Sequence, residues 1–521
     1  MTSRRLSIAP AAGLLPLLLL AGCAETSPNG ERARFLESPA MERTLARSGA
    51  PIDARADAAW PSEEWWRRFR SPELDHIVEN ALANNQSLKK ATEVLREAEA
   101  FSQVEGARLL PFLNADLGMR QSRIPTHGVV ASYNPDQAGL EKTMAYINPL
   151  SLHYEFDFWG KNRAILNASL GEMAAQAAET AEVRLLLTTA VARSYFRIRA
   201  LARQAETTIE MVKLRRDLLA LAQTRFKTGI DSADGVTQAS AELEVAVKRE
   251  AGVGAQLDFQ RNLMARLMGQ GPDAGRDLVG AKAMSPPAAP ALPKHLPLEL
   301  LAHRPDVAAA MHRAEAAAER IHAAKAEFMP SVDLTIVGGL EASRASPAID
   351  DLGKFLFRTS AVGYAVNPNI HLPLFQGGSL RGRLEGRRSE YDESVDSYNE
   401  TLLKAAQQVA DSLASLKDTN SETRAQRRLN AAARAELELA RSRWRSGLKD
   451  KRELLGQAHA VLEQVYALDA LDADYMSSHV DLIQALGGGY LEGPEAFAPR
   501  PEPEKDRLTP IVDAIEALGG G

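Results

Sequence analysis

A long-range repeat constrains this chain more than any other feature of its sequence. One stretch opens His303-Arg304-Pro305-Asp306-Val307, continues as an Ala-rich amphipathic pattern to Phe328-Met329-Pro330, and then changes to Ser331-Val332-Asp333-Leu334-Thr335-Ile336. Proline disfavours helical backbone in the residue before it, so the helix ends there. Beyond it the period falls from 3.6 to 2, with Val332, Leu334 and Ile336 facing one way and Asp333 and Thr335 the other. The same order stands earlier, where Glu105 to Pro111 leads into Leu113-Asn114-Ala115-Asp116-Leu117-Gly118-Met119. Pro330 lies 219 residues after Pro111, Phe375 217 after Phe158, Gly447 218 after Gly229 and Gly487 218 after Gly269. A period that long exceeds any solenoid unit, so the chain is a duplicated half-protein.

Each copy holds two alternating strands and long helices. The first copy spans residues 60–283, with strands near 112–120 and 151–158; the second spans 298–491, with strands near 331–340 and 361–374. Leu152, Tyr154 and Phe156 alternate with Ser151, His153 and Glu155, and Tyr364, Val366 and Ile370 share a face in the fourth strand. Ser71-Pro72-Glu73 caps a helix expected to run to about Leu110. Helical patterning then covers Lys161 to Gly229, with a turn expected near Arg199 to Gln204, and Ser232 to Met268. In the last helix Leu454, Val461, Val465, Leu468, Tyr475 and Leu482 form one seam, and Leu455, Leu462, Met476 and Ile483 a second. Two adjacent seams predict packing against two neighbours, as in a ring of helices. Residues 284–297 are a Pro-rich linker between the copies, and 492–521 a polar tail.

The N-terminus reads as an export signal over residues 1–22, with Arg4-Arg5 before the apolar run Leu14 to Leu20. It ends in Leu20-Ala21-Gly22-Cys23, which resembles the bacterial lipoprotein box, implying an acylated Cys23 followed by a tether over 23–59 with little core. Cys23 is the only cysteine, which excludes an intramolecular disulfide. After it there is no run of about 18 apolar residues, so any membrane span must be a β-barrel. The net charge of −6 is modest and no basic face stands out, which argues against nucleic acid as a partner. The ten histidines are scattered, and no zinc-protease, Walker or Gly-x-Ser-x-Gly motif is present, so neither an enzyme nor a metal site is expected. A lipid-anchored periplasmic coiled-coil adaptor without a pore is the alternative reading. It accounts for the helices but not for four alternating strands in two pairs.

Geometry then sets a requirement. Four strands cannot close a barrel, since single-chain outer-membrane barrels begin at about eight. An open edge in lipid leaves unpaired backbone groups costing several kcal/mol each, so spanning strands require an oligomer. Arg203 to Met268, about 65 residues, would reach roughly 100 Å if nearly straight, comparable to the depth of a periplasm. A helical tube below a barrel with a wet interior satisfies both patterns, and such a body is a conduit.

The chain resembles outer-membrane efflux proteins of the TolC type, in the NodT-like lipoprotein branch that serves resistance-nodulation-division pumps. The matching stretches are Trp65-Trp66-Arg67-Arg68-Phe69, Leu301 to Val307, Phe328-Met329-Pro330-Ser331, Pro373 to Gly378 and Ala485-Leu486-Gly487-Gly488-Gly489-Tyr490. The resemblance implies a mainly α fold with a membrane β-barrel portion, in which a homotrimer supplies an α-barrel beneath twelve strands, four per chain. It implies outer-membrane lipid, a periplasmic adaptor and an inner-membrane transporter as partners, and no cofactor beyond the lipid on Cys23. It also implies lipid-facing positions at Leu113, Leu117, Tyr154, Phe156, Leu334, Ile336, Tyr364 and Val366. By position, the periplasmic tip is expected at Arg199 to Gln204 and Leu416 to Ser421, with gate residues Asp411, Leu413, Leu416 and Asp418.

Overall fold

The computed structural model describes residues 33–36, 39–48, 52–53, 60–276, 292–293, 303–344 and 356–491. In chain order these form α1 (Glu42–Ser48), β1 (Ile52–Asp53), α2 (Pro72–Asn84), α3 (Gln86–Ala107), β2 (Phe112–Arg123), α4 (Val129–Tyr133), β3 (Glu141–Phe156), α5 (Lys161–Lys227) and α6 (Ala233–Leu267). The second half holds β4 (Leu292–Pro293), α7 (Pro305–Ala326), β5 (Ser331–Arg344), β6 (Val362–His371), α8 (Ser379–Arg445) and α9 (Lys451–Ala485).

The duplication preserves helix length: α5 and α8 have 67 residues each, and α6 and α9 have 35 each. At about 1.5 Å per residue the longest helices extend roughly 100 Å. Neither contains the turn expected at Arg199 to Gln204 or Leu416 to Ser421; both stretches lie inside uninterrupted helix. They hold no glycine or proline to stop it. The reversals occur at Gly229 and Gly447, whose φ angles of 74° and 68° suit only glycine well. There Ile230 N donates to Arg225 O over 2.8 Å and Leu448 N to Arg443 O over 2.9 Å, the paired closure of a left-handed helix end.

The helix expected from Ser71 to Leu110 is broken once. Ser71 caps α2 as its sequence suggests, accepting from Leu74 N, but Asn85 turns extended and caps α3 by accepting from Ser87 N and Leu88 N. The break stacks α3 on α6, because Asn85 Nδ2 donates to Leu267 O over 2.9 Å. The second copy repeats the stack with Arg304, whose Nη1 donates to Ala485 O over 2.9 Å and so joins α7 to α9. The helices therefore form four parallel rows: α3 with α6, then α5, then α7 with α9, then α8. The two seams of α9 serve its two neighbours. Met476, Val480 and Ile483 meet Tyr195 and Ile198 of α5, while Leu482 meets Val409 and Leu413 of α8.

The strands form one antiparallel sheet in the order β2-β3-β5-β6, leaving β2 and β6 as its edges. All four differ from their expected limits, three by running beyond them and β6 by falling short. β3 begins at Glu141, ten residues before Ser151, and β2, β5 and β6 end at Arg123, Arg344 and His371. A register shift between Ile147 and Leu150 interrupts the alternation of β3 and hides its first half from a period-2 pattern.

The segment read as a bare tether has a core function. Met41 and Leu45, on and beside α1, are buried against Val409, Leu413, Leu416 and Leu482. Asn399 accepts from Leu36 N and donates to Arg34 O, both at 2.8 Å, and Phe35 meets Tyr398 edge to face. Cys23 and the expected signal segment lie outside the described residues.

Candidate functional site

The sheet separates two chemistries. Register aligns Leu113 with Leu152, Ile336 and Val366, and aligns Tyr154 with Leu334. Phe156, Leu117 and Tyr364 fall on the same face by alternation. The opposite face carries His153 beside Thr335 and Asn367, and Glu155 beside Asp333 and Asn369. The eight apolar positions named from sequence thus share one side, and Leu117 and Tyr364 are 78% and 86% exposed there.

Below the sheet the four helix rows curve. A groove of about 750 Å³ touches α5, α7 and α8 together, which is possible only on the concave side of the middle row. A second, of about 770 Å³, touches α3 as well and lies nearer the strands. On α8 the concave stripe runs Glu390, Ser394, Ser397, Thr401 and Lys404, and Gln408, Asp411 and Ser415 extend it toward the tip. Alternating steps of four and three keep this stripe on one helix face. The other faces of α8 carry Tyr398, Leu402, Val409, Leu413 and Leu416, which are buried.

This wall is polar and mostly neutralised in pairs. Arg320 meets Glu172 at 2.7 Å, Arg313 meets Glu179 at 2.5 Å, and Arg304 meets Asp306 at 2.6 Å. Glu182 has no hydrogen bond or ion pair among the described residues. Burial, reinforced by Asp306, pushes its carboxyl up to about 7 against the opposing pull of Arg304 and Lys404.

The expected gate residues divide across α8. Asp411 faces the concave side with Arg193, Asp481 and Gln484, and Asp418 is exposed. Leu413 and Leu416 face the other way and pack under Met41 and Leu45. None sits at a turn. Leu416 is about 30 residues, or roughly 45 Å, short of the end of α8. Leu413 and Leu416 are therefore core residues, and the tip lies at residues 228–232 and 446–450.

At the tip the two helix reversals are ion-paired. Arg225 Nε meets Asp231 at 2.8 Å, and its Nη1 reaches across to Asp450 at 3.3 Å. Arg452 lies 3.7 Å from both carboxylates. The hydrogen bond from Arg225 holds the Asp231 carboxyl below its ordinary value. Higher up, Arg249 grips Glu463 at 2.7 Å and Arg203 grips Asp469 at 3.1 Å, so arginines of the first hairpin hold α9 along its length. Sequence reading misses this set. The polar Asp231-Ser232 step after Gly229 is its one visible signal.

A family model described as outer membrane efflux protein matches residues 77–270 and 296–488. The multidrug resistance outer membrane protein MdtP of Shigella flexneri is 28% identical over 453 residues, covering 84% of this chain and 89% of that protein. The toluene efflux pump outer membrane protein TtgF of Pseudomonas putida is 31% identical over 429 residues, covering 82% of this chain and 85% of that protein. The crystal structure of the outer membrane protein VceC from Vibrio cholerae superposes with a TM-score of 0.71 at 31% identity, covering 83% of this chain and all of that one.

Proposed function

The chain belongs to the outer membrane efflux protein family, and we propose that it works as a homotrimer, three copies closing a twelve-stranded barrel over a helical tube. It is an outer-membrane channel component of an efflux system, extending into the periplasm. The family is one of conduits rather than of enzymes.

The observation that carries the trimeric reading is the sheet itself. Its apolar face bears eight matched positions, yet β2 and β6 end in unpaired edges. In hydrocarbon those edges are costly, and pairing β2 of one copy with β6 of the next removes them. On this reading Leu113, Leu117, Tyr154, Phe156, Leu334, Ile336, Tyr364 and Val366 meet lipid, and the His153–Asn367 side meets water. The concave helix wall continues the wet passage, and the Arg225–Asp231–Asp450–Arg452 set narrows its periplasmic end. Cys23 carries a covalent lipid, and no further cofactor is required. A periplasmic adaptor and an inner-membrane resistance-nodulation-division transporter complete the pump. Relatives named for multidrug resistance and toluene efflux support small organic molecules as cargo.

Mass measurement of the detergent-purified protein, followed by planar-bilayer recording, tests this. The expected result is a particle of three chains that forms discrete channels. A monomer that stays soluble without detergent and forms none would sink the reading in favour of a pore-free adaptor.

A further inference from the structure

We infer that Glu182 is a selectivity-determining residue of the passage: ionised, it gives the groove between α5, α7 and α8 a net negative charge that favours cationic cargo, and protonated, it leaves that groove neutral. This rests on the conduit reading above.

The groove shared by α5, α7 and α8 supplies the geometry. Its carboxylates are not equivalent. Glu179 is bound by Arg313 of α7, Asp306 by Arg304, and Glu390 by Arg387 one turn before it on α8. Glu182, Glu393 and Lys404 have no ion pair among the described residues, although all three line the groove. Two unpaired acids against one unpaired base leave one negative charge per chain. Protonating Glu182 alone removes it, so that in a trimer the three grooves change together from three charges to none.

Glu182 is also the acid placed to titrate in the physiological range. From α7 it senses Asp306, which disfavours its charge, and Arg304, which favours it; from α8 it senses Lys404, which favours it. On its own helix Glu179 is already occupied by Arg313. Arg184, further along the same helix, is engaged with Glu63 at 2.6 Å. Row α3, on the other side of α5, reaches this level through the Ala91 carbonyl, which accepts from Thr180. Burial outweighs the two cations, so the carboxyl exchanges its proton near pH 7, where exposed glutamates are fully ionised. Glu182 therefore changes the groove's charge between pH 8 and pH 6. Narrow walls of one sign concentrate counter-ions and exclude co-ions, so a three-charge change alters which ions pass.

The test is the reversal potential of the full-length protein in planar bilayers under a potassium chloride gradient, read from pH 8 to pH 6. The preference for potassium over chloride should fall roughly two-fold, with its midpoint near pH 7, a size limited by screening at such ionic strengths. E182Q should hold the low-pH preference throughout. K404Q, which removes a cation that stabilises the ionised form, should move the midpoint to higher pH, a shift that a merely structural role would not produce. A wild-type profile flat across this range, or an E182Q profile that still follows the wild type, overturns the inference while leaving the conduit intact. If the wild type forms no channels at all, the conduit reading fails first and this inference with it.

Discussion

Helices α5 and α8 are the same element twice, yet they occupy different situations. Both ends of α8 lie 218 residues beyond those of α5, from Lys161 to Ser379 and from Lys227 to Arg445. Val191, Tyr195 and Ile198 of α5 correspond at that offset to Val409, Leu413 and Leu416 of α8, and all six are buried. The covers differ. Trp65, Phe69 and α2 lie over α5, with Tyr195 bonded to Ser71, Glu73 and Arg199. The strap from Phe35 to α1 lies over α8 through apolar contact. Moreover, α5 has a helix row on each side, whereas α8 has one, and Leu403, Leu429 and Leu439 remain exposed on it. Duplication copied the helix and its turns but not its neighbours. An unfilled side on α8 is what a neighbouring copy would cover.

The largest break in the symmetry should come from the two closing glycines. At Gly487, with φ of 84°, an added Cβ would lie 1.8 Å from His303 O; at Gly269, with φ of 70°, the nearest atom is Asn84 O at 2.4 Å. Both approaches are to backbone, which cannot swing aside. Gly487→Ala should cost more than about 4 kcal/mol and remove folded protein from the outer membrane. Gly269→Ala should be milder, and thermal unfolding in detergent ranks the two. Equal melting temperatures would mean that the second junction is no tighter than the first.

Next come the two covers. Leu413→Ala opens a cavity beneath the strap and should cost about 3 kcal/mol. Tyr195→Phe, its counterpart, keeps the ring and loses only the hydroxyl bonds, at about 1 kcal/mol. Unfolding midpoints should therefore fall further for the second repeat. A larger loss at Tyr195 would place more of the stability of this level in the polar network.

Acid should also act unequally. His479 stands where the first repeat, 218 residues earlier, has Arg261. Burial, with Arg68 adding repulsion, pulls His479 down to about 4. Its folded value lies below its unfolded one, so the stability it permits is present above about pH 6.5 and is lost as pH falls toward 4. By pH 5 the loss is about 2 kcal/mol. His479→Gln should flatten the fall in melting temperature between pH 7 and pH 5, and an unchanged slope would assign the acid response elsewhere.

The smallest effect on stability should be at the tip, where water screens the ion pairs. Function is the sharper readout there. Arg225 bridges both reversals, whereas its counterpart Arg443 pairs, among the described residues, with Glu453 alone, at 3.8 Å. Arg225→Ala should raise single-channel conductance and Arg443→Ala should leave it near wild type. Equal conductance in both would remove Arg225 from the constriction.

Local signals were legible wherever a residue's own backbone preference was decisive. Pro111 and Pro330 marked helix ends, Gly229 and Gly447 marked helix breaks, and alternation at Leu152–Tyr154–Phe156 placed one face of the sheet. Signals failed where a partner was needed to give a residue its meaning. Asn85 breaks a helix without glycine or proline because its side chain caps one helix and ties it to Leu267 of another. Met41 and Leu45 are too few to show a period, and only α8 explains them. The expected tip near Leu416 followed from placing the turns too early. Its apolar residues belong to a seam that α1 closes from outside.

The order of elements, the doubling of the unit and the identity of the apolar sheet face were written in the chain, because backbone sterics and side-chain periodicity act within a few residues. Which side of α8 faces the hollow, which arginine crosses between hairpins at Asp450, and which carboxylate stays unpaired at Glu182 were settled only in three dimensions. Those outcomes depend on curvature and on charges brought together from distant positions, and no local pattern encodes either.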